Sequence, residues 1–166
     1  MRCFVLMGVS GCGKSSVGEA LSAETKVTFM DGDALHPTSN IEKMSRGEPL
    51  DDTDRAPWLV QVGQALAQRK GPIVVGCSAL KRKYRDIIRE NAAEPVYFLH
   101  LDAPHKVLAR RMSEREGHFM PASLLDSQFA ALEPLAPDED GALIDIAQPI
   151  SAVIAQAGQI VSKITK

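Results

Sequence analysis

The chain has 166 residues, of which 45% are hydrophobic and 24% charged, with a formal net charge of −2 at pH 7. This length fits one domain around a single core, and the near balance of charge argues against general nucleic-acid binding. No stretch reaches the roughly 20 consecutive apolar residues of a membrane-spanning helix, so a membrane is not expected as a partner either. The three cysteines (Cys3, Cys12 and Cys77) form no C-x-x-C pair. That disfavours zinc or disulfides and favours a reducing, cytoplasmic setting.

Short apolar runs alternate along the chain with longer helical patterns, which is typical of parallel βαβ units. The predicted strands are residues 3–7, 27–30, 73–75, 96–101 and 142–146. The predicted helices run from a glycine-rich loop through Leu21, from after Asp54 with Pro57 near the first turn, and over residues 81–90, 105–114 and 150–164. Because nearly continuous apolar strands are typical of a sheet covered on both faces, we predict a three-layer α/β fold. Helices would flank a five-stranded parallel sheet in a single domain of residues 1–166.

The first predicted strand runs into a glycine-rich loop whose sequence, GVSGCGKS at residues 8–15, matches G-x-x-x-x-G-K-[ST]. The match follows a strand and opens a helix, as this phosphate-binding motif requires. The motif predicts ATP binding, with Lys14 on the β- and γ-phosphates and the Ser15 hydroxyl as a magnesium ligand. The predicted nucleotide-binding residues are those of the loop and the helix start: Gly8, Val9, Ser10, Gly11, Cys12, Gly13, Lys14, Ser15 and Ser16.

The second predicted strand ends in Asp31-Gly32-Asp33. Ligands of open parallel sheets lie beyond the carboxyl ends of the strands, so these aspartates are expected to face the phosphate loop. A phosphotransferase needs a carboxylate to orient or deprotonate the attacking hydroxyl and an oxygen group for the water shell of magnesium. We predict Asp33 for the first task and Asp31, through water, for the second. The alternative is a turn that carries a helix cap.

Two stretches, residues 32–55 and 115–135, fit this alternation of strands and helices poorly. The first is polar and long for a simple connection, and the second contains a break before a short helical pattern, so both are expected sites of substrate binding or closure. We predict an acceptor-binding segment at about residues 31–59 and a lid at about residues 111–121. In the lid, Arg111 and Arg115 are four residues apart and would share a helix face over the phosphates. A solvated, salt-bridged face is the alternative.

Several runs of the sequence resemble the gluconate kinase family. They are residues 31–37 (DGDALHP), 40–44 (NIEKM), 54–59 (DRAPWL), 77–81 (CSALK) with 84–86 (YRD), and 117–119 (GHF) with 127–129 (SQF) and 132–134 (LEP). The resemblance extends from the phosphate loop to about Pro134. It implies ATP-dependent phosphorylation of D-gluconate at its 6-hydroxyl, giving 6-phosphogluconate and ADP. It further implies a P-loop kinase fold like that of the nucleoside-monophosphate and shikimate kinases, and commonly a homodimer.

The residues and the resemblance together suggest how the acceptor is bound. Arg55 is the first choice for the gluconate carboxylate because its planar fork suits bidentate recognition, and Lys81 and Arg85 compete for that role. His36 and Asn40 are expected to bond the hydroxyls of the sugar acid, although His36 precedes a proline and could shape a turn instead.

The catalytic assignment combines Lys14, Asp33, Arg111 and Arg115, with the three cations neutralising charge on the transferred group. Two alternatives remain. A kinase for shikimate, adenylylsulfate or a nucleoside monophosphate would keep the loop and the lid but differ over residues 31–85. A nucleotide switch would have little use for an arginine-rich lid, and the guanine-reading run Asn-Lys-x-Asp is absent from the sequence.

Overall fold

The computed structural model describes residues 2–114 and 122–166. The strands are β1 (Cys3–Met7), β2 (Thr28–Asp31), β3 (Ile73–Gly76), β4 (Val96–Asp102) and β5 (Gly141–Asp145). The α-helices are α1 (Lys14–Glu24), α2 (Thr38–Ser45), α3 (Asp52–Gln68), α4 (Arg82–Asn91), α5 (His105–Ser113), α6 (Ala122–Ala131) and α7 (Ile150–Thr165), and a 3₁₀ helix spans Gly32–Leu35. The predicted lid residue Arg115 and the motif run 117–119 lie outside the described residues.

The five strands form one parallel sheet in the order β2-β3-β1-β4-β5. β1 lies in the middle, where Leu6 is in register with Gly76 of β3 and with Leu99 of β4. The chain leaves β1 toward β2 and β3 on one side and later adds β4 and β5 on the other. A ligand crevice is expected where the strand order reverses, beyond the carboxyl end of β1.

Helices cover both faces of the sheet because side chains alternate between the faces along each strand. On β1, Phe4 and Leu6 belong to the core shared with α1 and α7. Cys3, Val5 and Met7 belong to the core shared with α3 and α4. All five side chains are fully buried. Burying a large aliphatic side chain stabilises a fold by about 1.5–3 kcal/mol. The two hydrophobic cores therefore stabilise the position of β1, whose carboxyl end leads into the phosphate loop.

The predicted α/β class and sheet are confirmed, and each observed strand end lies within one residue of its predicted position. One helix start differs. α3 begins at Asp52 rather than after Asp54, because two reciprocal hydrogen bonds cap its first turn. The Asp51 carboxylate accepts from the Asp54 N–H at 2.8 Å, and the Asp54 carboxylate accepts from the Asp51 N–H at 3.0 Å. This capping box stabilises the start of a helix by about 0.5–2 kcal/mol. Pro57 therefore lies inside the helix.

The polar stretch predicted between residues 32 and 55 contains a short helix, α2, in addition to turns. Lys43 of α2 pairs with Asp54 of α3 at 2.6 Å, which fixes α2 against the start of α3. Among the described residues, no helix combines the length and the apolar composition that crossing a bilayer requires.

Candidate active site

The phosphate loop connects the buried end of β1 to the first turn of α1. Gly8, Gly11 and Gly13 have φ angles of 148°, 82° and 94°, which side chains rarely allow. A Cβ on Gly8 would lie 2.7 Å from the carbonyl oxygen of Leu101, so the loop also needs glycine there for space. The sequence motif thus produces a curled backbone at the crevice beside β1, as a phosphate cradle requires.

Lys14 lies across this loop. Its Nζ donates to the carbonyl oxygens of Gly8 at 3.0 Å and Val9 at 3.2 Å. Ser15 and Ser16 follow in the first turn of α1, and both are exposed. The lysine ammonium and the serine hydroxyls therefore lie at the positive end of the α1 dipole, where an anion is stabilised.

Asp31 ends β2, beside Gly76 at the end of β3. One oxygen of Asp31 accepts from the Asp33 N–H at 2.9 Å, so Asp31 caps the 3₁₀ helix that carries Asp33. Asp31 therefore acts as the helix cap that was the alternative to a magnesium role. The cap uses one carboxylate oxygen and leaves the second one for another partner, so it does not exclude that role.

The surroundings of Asp33 make its carboxylate more basic than that of an ordinary aspartate. Partial loss of solvent around it and the nearby Asp31 charge raise its pKa, while Lys14 and His36 oppose the rise. A carboxylate with a raised pKa is a better proton acceptor, so the environment suits an orienting or proton-accepting group.

The imidazole of His36 is fixed by two contacts. Its ring stacks on Trp58 with centroids 4.1 Å apart, and Trp58 donates to the carbonyl oxygen of Gly32 at 2.8 Å. The amide nitrogen of the buried Asn40 donates to the carbonyl oxygen of Asp54 at 2.9 Å and lies 3.3 Å from His36 Nδ1. Because this nitrogen is a donor, His36 Nδ1 is an acceptor and the ring proton is on Nε2.

The same contacts determine which hydrogen-bonding groups of His36 and Asn40 remain available to a ligand. Burial lowers the pKa of His36, Asp33 raises it and Arg55 lowers it, and the lowering keeps the ring neutral at pH 7. His36 thus presents one N–H donor from Nε2, and Asn40 keeps its carbonyl oxygen as an acceptor. One donor and one acceptor suit a hydroxyl-rich molecule.

Cationic side chains lie around the phenol ring of Tyr84 on α4. The Arg55 guanidinium and the Lys81 ammonium lie 5.6 Å and 5.7 Å from the ring centroid. Arg55 donates to the Tyr84 hydroxyl at 3.2 Å, and that hydroxyl donates to Asp52. Asp52 also pairs with Lys83, and the Lys83 and Tyr84 hydrogen bonds lower its pKa to about 2. Arg55 is therefore oriented by neighbours while a third of its side chain stays exposed.

The structure does not bring Arg85 to this site, which contradicts its predicted role in acceptor binding. Its side chain is fully buried and forms a two-point ion pair with Glu139 at 2.7 Å and 3.0 Å. It also donates to the carbonyl oxygens of Ala79 and Leu80. Its guanidinium is committed to the protein interior, where removing it would leave the buried Glu139 carboxylate with Arg89 but without its two-point partner.

A cavity of about 380 Å³ opens beside the phosphate loop. Its lining includes Arg111 of α5 together with Gly11, Gly13 and Ser16. The rest of its lining, outside the phosphate loop, was not predicted from the sequence. It consists of Met112, which packs against Gly11, and of four residues that follow β5 in the chain: Ile146, Gln148, Ile150 and Val153.

Known proteins share both the sequence and the shape of this chain. A protein-family model described as an AAA domain matches residues 4–135. The thermosensitive gluconokinase of Escherichia coli (strain K12) is 46% identical over 162 residues, covering 95% of this chain and 86% of that protein. The crystal structure of a gluconokinase from Sinorhizobium meliloti 1021 superposes with a TM-score of 0.89 at 48% identity, over 98% of this chain and 93% of that one. Shikimate kinase from Aquifex aeolicus vf5 has a TM-score of 0.59 at 14% identity over 96% of each chain, which is a likeness of fold.

The parallel sheet, the phosphate loop after β1 and the aspartates after β2 define an ATP-dependent P-loop kinase. The chain belongs to the gluconokinase family.

Proposed function

We propose that this protein transfers the γ-phosphoryl group of ATP to the 6-hydroxyl of D-gluconate, giving 6-phospho-D-gluconate and ADP. The observation that carries the proposal is the position of Asp33. Asp33 follows closely on the end of β2, where Asp31 is in register with Gly76 of β3. A Cβ on Gly76 would lie 3.8 Å from the Lys14 Cβ, and His36 follows Asp33 by three residues, so Lys14 and His36 both lie near the carboxylate. The carboxylate therefore stands between a phosphate-binding loop and a group of hydroxyl- and anion-binding side chains.

On the nucleotide side, the loop backbone and Lys14 bind the phosphates of ATP. Phosphoryl transfer proceeds through a loose transition state with charge on the peripheral oxygens, so positioning and charge stabilisation supply most of the rate. Lys14, with Arg111 from the cavity wall, performs this task. The apolar side chains of Ile146 and Ile150 offer a surface for the nucleotide base in the same cavity.

The residues near the loop fit Mg²⁺. Ser15 and Asp31 offer hard oxygen ligands, but they are too few to hold a metal ion without water or phosphate. Among residues 2–114 and 122–166, no cluster of three or more His, Cys, Asp or Glu side chains could hold a metal ion by itself. Such a site suits Mg²⁺, which keeps several waters and takes phosphate oxygens as ligands. Bound with ATP, Mg²⁺ would neutralise charge on the β- and γ-phosphates. Ser15 would bind it directly, and the free oxygen of Asp31 would hold one of its waters.

On the acceptor side, Arg55 and Lys81 bind the carboxylate of gluconate. The guanidinium of Arg55 is oriented by Tyr84 and Asp52, so little rotamer freedom is lost when the carboxylate binds. His36 and Asn40 contact hydroxyls along the carbon chain through one donor and one acceptor. With the carboxylate at one end, the 6-hydroxyl at the other end reaches Asp33, which orients it and accepts its proton.

A coupled assay of ADP release tests the proposal. Purified protein, ATP and Mg²⁺ are combined with D-gluconate, shikimate, adenylylsulfate, AMP or no acceptor. We expect ADP release to depend on gluconate. Release that depends on another acceptor would overturn the substrate assignment and keep the kinase. Release without any acceptor dependence, from folded protein that binds ATP, would favour a nucleotide switch.

Three further parts of the proposal concern the setting of the reaction. The three cysteines are free and buried, which supports a cytoplasmic location where thiols stay reduced. The lid at residues 111–121 would close over the phosphates, with Arg111 at its described end. A homodimer is expected from the family and is tested by the mass in solution, measured by light scattering.

A further inference from the structure

Gln128 of α6 forms a two-point contact with Ser10 of the phosphate loop, across 118 positions of sequence. The Ser10 N–H donates to Gln128 Oε1 at 2.6 Å, and Gln128 Nε2 donates to Ser10 Oγ at 2.9 Å. One side-chain amide thus satisfies both the backbone and the side chain of a single loop residue. The phosphate-binding motif specifies only residues of the loop itself and does not predict a contact with a glutamine from a distant helix.

The helix that carries Gln128 is held on both sides of it. Leu125 is 2% exposed in the core beside α1 and α7. Asp126 pairs with His105 Nε2 at 2.5 Å, and the Phe129 ring lies 5.1 Å from the His105 ring. The Gln128 amide is therefore presented from a fixed element, as a group that orients another must be.

The two hydrogen bonds change what Ser10 can offer a phosphate. Its backbone N–H is already paired with Gln128 and is withdrawn from the set of loop N–H groups that bind phosphate oxygens. Its hydroxyl oxygen accepts a bond from Gln128, which leaves the hydroxyl proton as the remaining donor. Ser10 is followed by Gly11, which lines the cavity together with Arg111.

We propose that Gln128 is a positioning residue for phosphoryl transfer, which fixes Ser10 so that its hydroxyl donates to a terminal phosphate oxygen of ATP. This inference rests on the proposed function for the reaction, but the contact between Gln128 and Ser10 is expected to affect only the binding of the nucleotide. Gln128 does not touch the phosphates. It acts by holding the loop in the conformation that binds them, and thereby couples α6 to the nucleotide.

Three single variants, one control variant and one double variant test this proposal. Gln128→Met removes both hydrogen bonds at similar volume, and Gln128→Glu keeps the acceptor for the Ser10 N–H but loses the donor to Oγ. Ser10→Ala removes the hydroxyl and keeps the backbone bond. Gln64→Met makes the same chemical change as the first variant at an exposed position on α3, away from the loop, and serves as the control.

The readouts are kcat and KM for each substrate, the melting temperature, and the affinity for Mg²⁺-ATP measured by calorimetry without acceptor. We expect Gln128→Met to lower kcat/KM for ATP about tenfold, from the loss of two hydrogen bonds, with KM for gluconate unchanged. Gln128→Glu and Ser10→Ala should fall between it and the wild type, and the control should match the wild type. Because both residues act through one contact, the Ser10→Ala/Gln128→Met double variant should be no worse than Gln128→Met.

Wild-type kinetics in Gln128→Met and Ser10→Ala would overturn the inference. So would a lower melting temperature with unchanged nucleotide affinity, which indicates a structural role, or losses that multiply in the double variant. If Gln128→Met does not fold, Ser10→Ala and Gln128→Glu decide by the same criteria. The acceptor-free affinity separates this inference from the proposed function, since it reports on Gln128 even if gluconate-dependent turnover of the wild type fails.

Discussion

The two sides of the site are built in different ways. The nucleotide side is made largely of backbone: a loop with three glycines in the left-handed region and the N-terminus of α1. The proposed acceptor side is made of side chains held by one another, such as His36 by Trp58 and Asn40, and Arg55 by Tyr84. A backbone cradle can bind any suitable phosphate, whereas oriented side chains can select one acceptor. In the proposed mechanism, the chemistry common to P-loop kinases therefore lies on one side of Asp33, and the selection of the acceptor lies on the other.

Asp33→Asn should have the largest effect on activity because Asp33 stands where the two sides meet. Losing a positioned proton acceptor lowers kcat by about 10²- to 10⁴-fold. KM for ATP should change little, since the loop and Lys14 are untouched. The exposed Asp140→Asn, at the opposite edge of the sheet, is the matched control. Near-normal turnover of folded Asp33→Asn would remove Asp33 from the chemistry.

Arg85→Met should separate stability from substrate binding. It leaves the buried Glu139 carboxylate with Arg89 but without its two-point partner. The free energy of unfolding should therefore fall by about 3 kcal/mol in urea titrations, the lower end of the range for a broken buried ion pair. Since Arg85 is fully buried, KM for gluconate, measured at low temperature on folded protein, should stay at the wild-type value. A raised KM with unchanged stability would return Arg85 to the acceptor site.

Arg55→Lys should affect the acceptor side alone. Lysine keeps the charge but loses the two-point geometry, so KM for gluconate should rise about tenfold to a hundredfold while KM for ATP stays constant. Arg69→Lys, at the other end of α3, makes the same change away from the site. An equal rise in both Michaelis constants would argue against carboxylate binding by Arg55.

Tyr84→Phe should give a smaller effect of the same kind. It removes the hydroxyl that accepts from Arg55 and donates to Asp52 but keeps the ring beside the cations. We expect KM for gluconate to rise a few-fold, about the value of one hydrogen bond, with kcat nearly unchanged. Steady-state kinetics with gluconate as the varied substrate measures it, and a larger loss in kcat than in KM would contradict a purely orienting role.

His100 should give the smallest effect, visible as a pH dependence of stability. Its ring is buried, and neither nitrogen has a hydrogen-bond partner among the described residues. Burial lowers its pKa, the Asp102 carboxylate opposes this and Arg85 reinforces it. Because the unfolded chain binds the proton more readily, stability is present above about pH 6.5 and falls as the pH drops below that value.

His100→Leu should therefore flatten the fall in melting temperature between pH 7 and pH 5. His36 also has a lowered pKa, so part of the slope should remain. At pH 7 the variant should be at least as stable as the wild type, since it removes an unpartnered buried polar group. An unchanged pH slope would show that His100 does not contribute.

Local sequence patterns predicted the fold and the nucleotide side because both depend on short-range features. The apolar runs fixed the strand ends to within one residue, and the phosphate loop is a contiguous motif. The start of α3 was placed too late, since its signal is a polar capping box rather than apolar periodicity. Short motifs also pointed to Asp31, Asp33 and Arg55.

The features that sequence reasoning missed depend on contacts between distant segments. Arg85 looked like an exposed competitor of Arg55 because its partner, Glu139, lies 54 positions away. The cavity wall at Ile146 and Gln148 follows from the placement of β5 at the sheet edge, which no local pattern states. Gln128 is 118 positions from Ser10, so its contact with the loop emerges only in three dimensions.

Asp33 is proposed to lie between the nucleotide side and the acceptor side of the site. The most direct test of this central placement is to determine which carbon of the acceptor carries the transferred phosphate. D-Gluconate bound by its carboxylate at Arg55 should present its far end to Asp33. We therefore predict that proton–phosphorus correlation NMR of the product formed from ATP and D-gluconate finds the phosphate on the 6-carbon alone. A phosphate ester at another carbon, or none that depends on gluconate, would contradict this account.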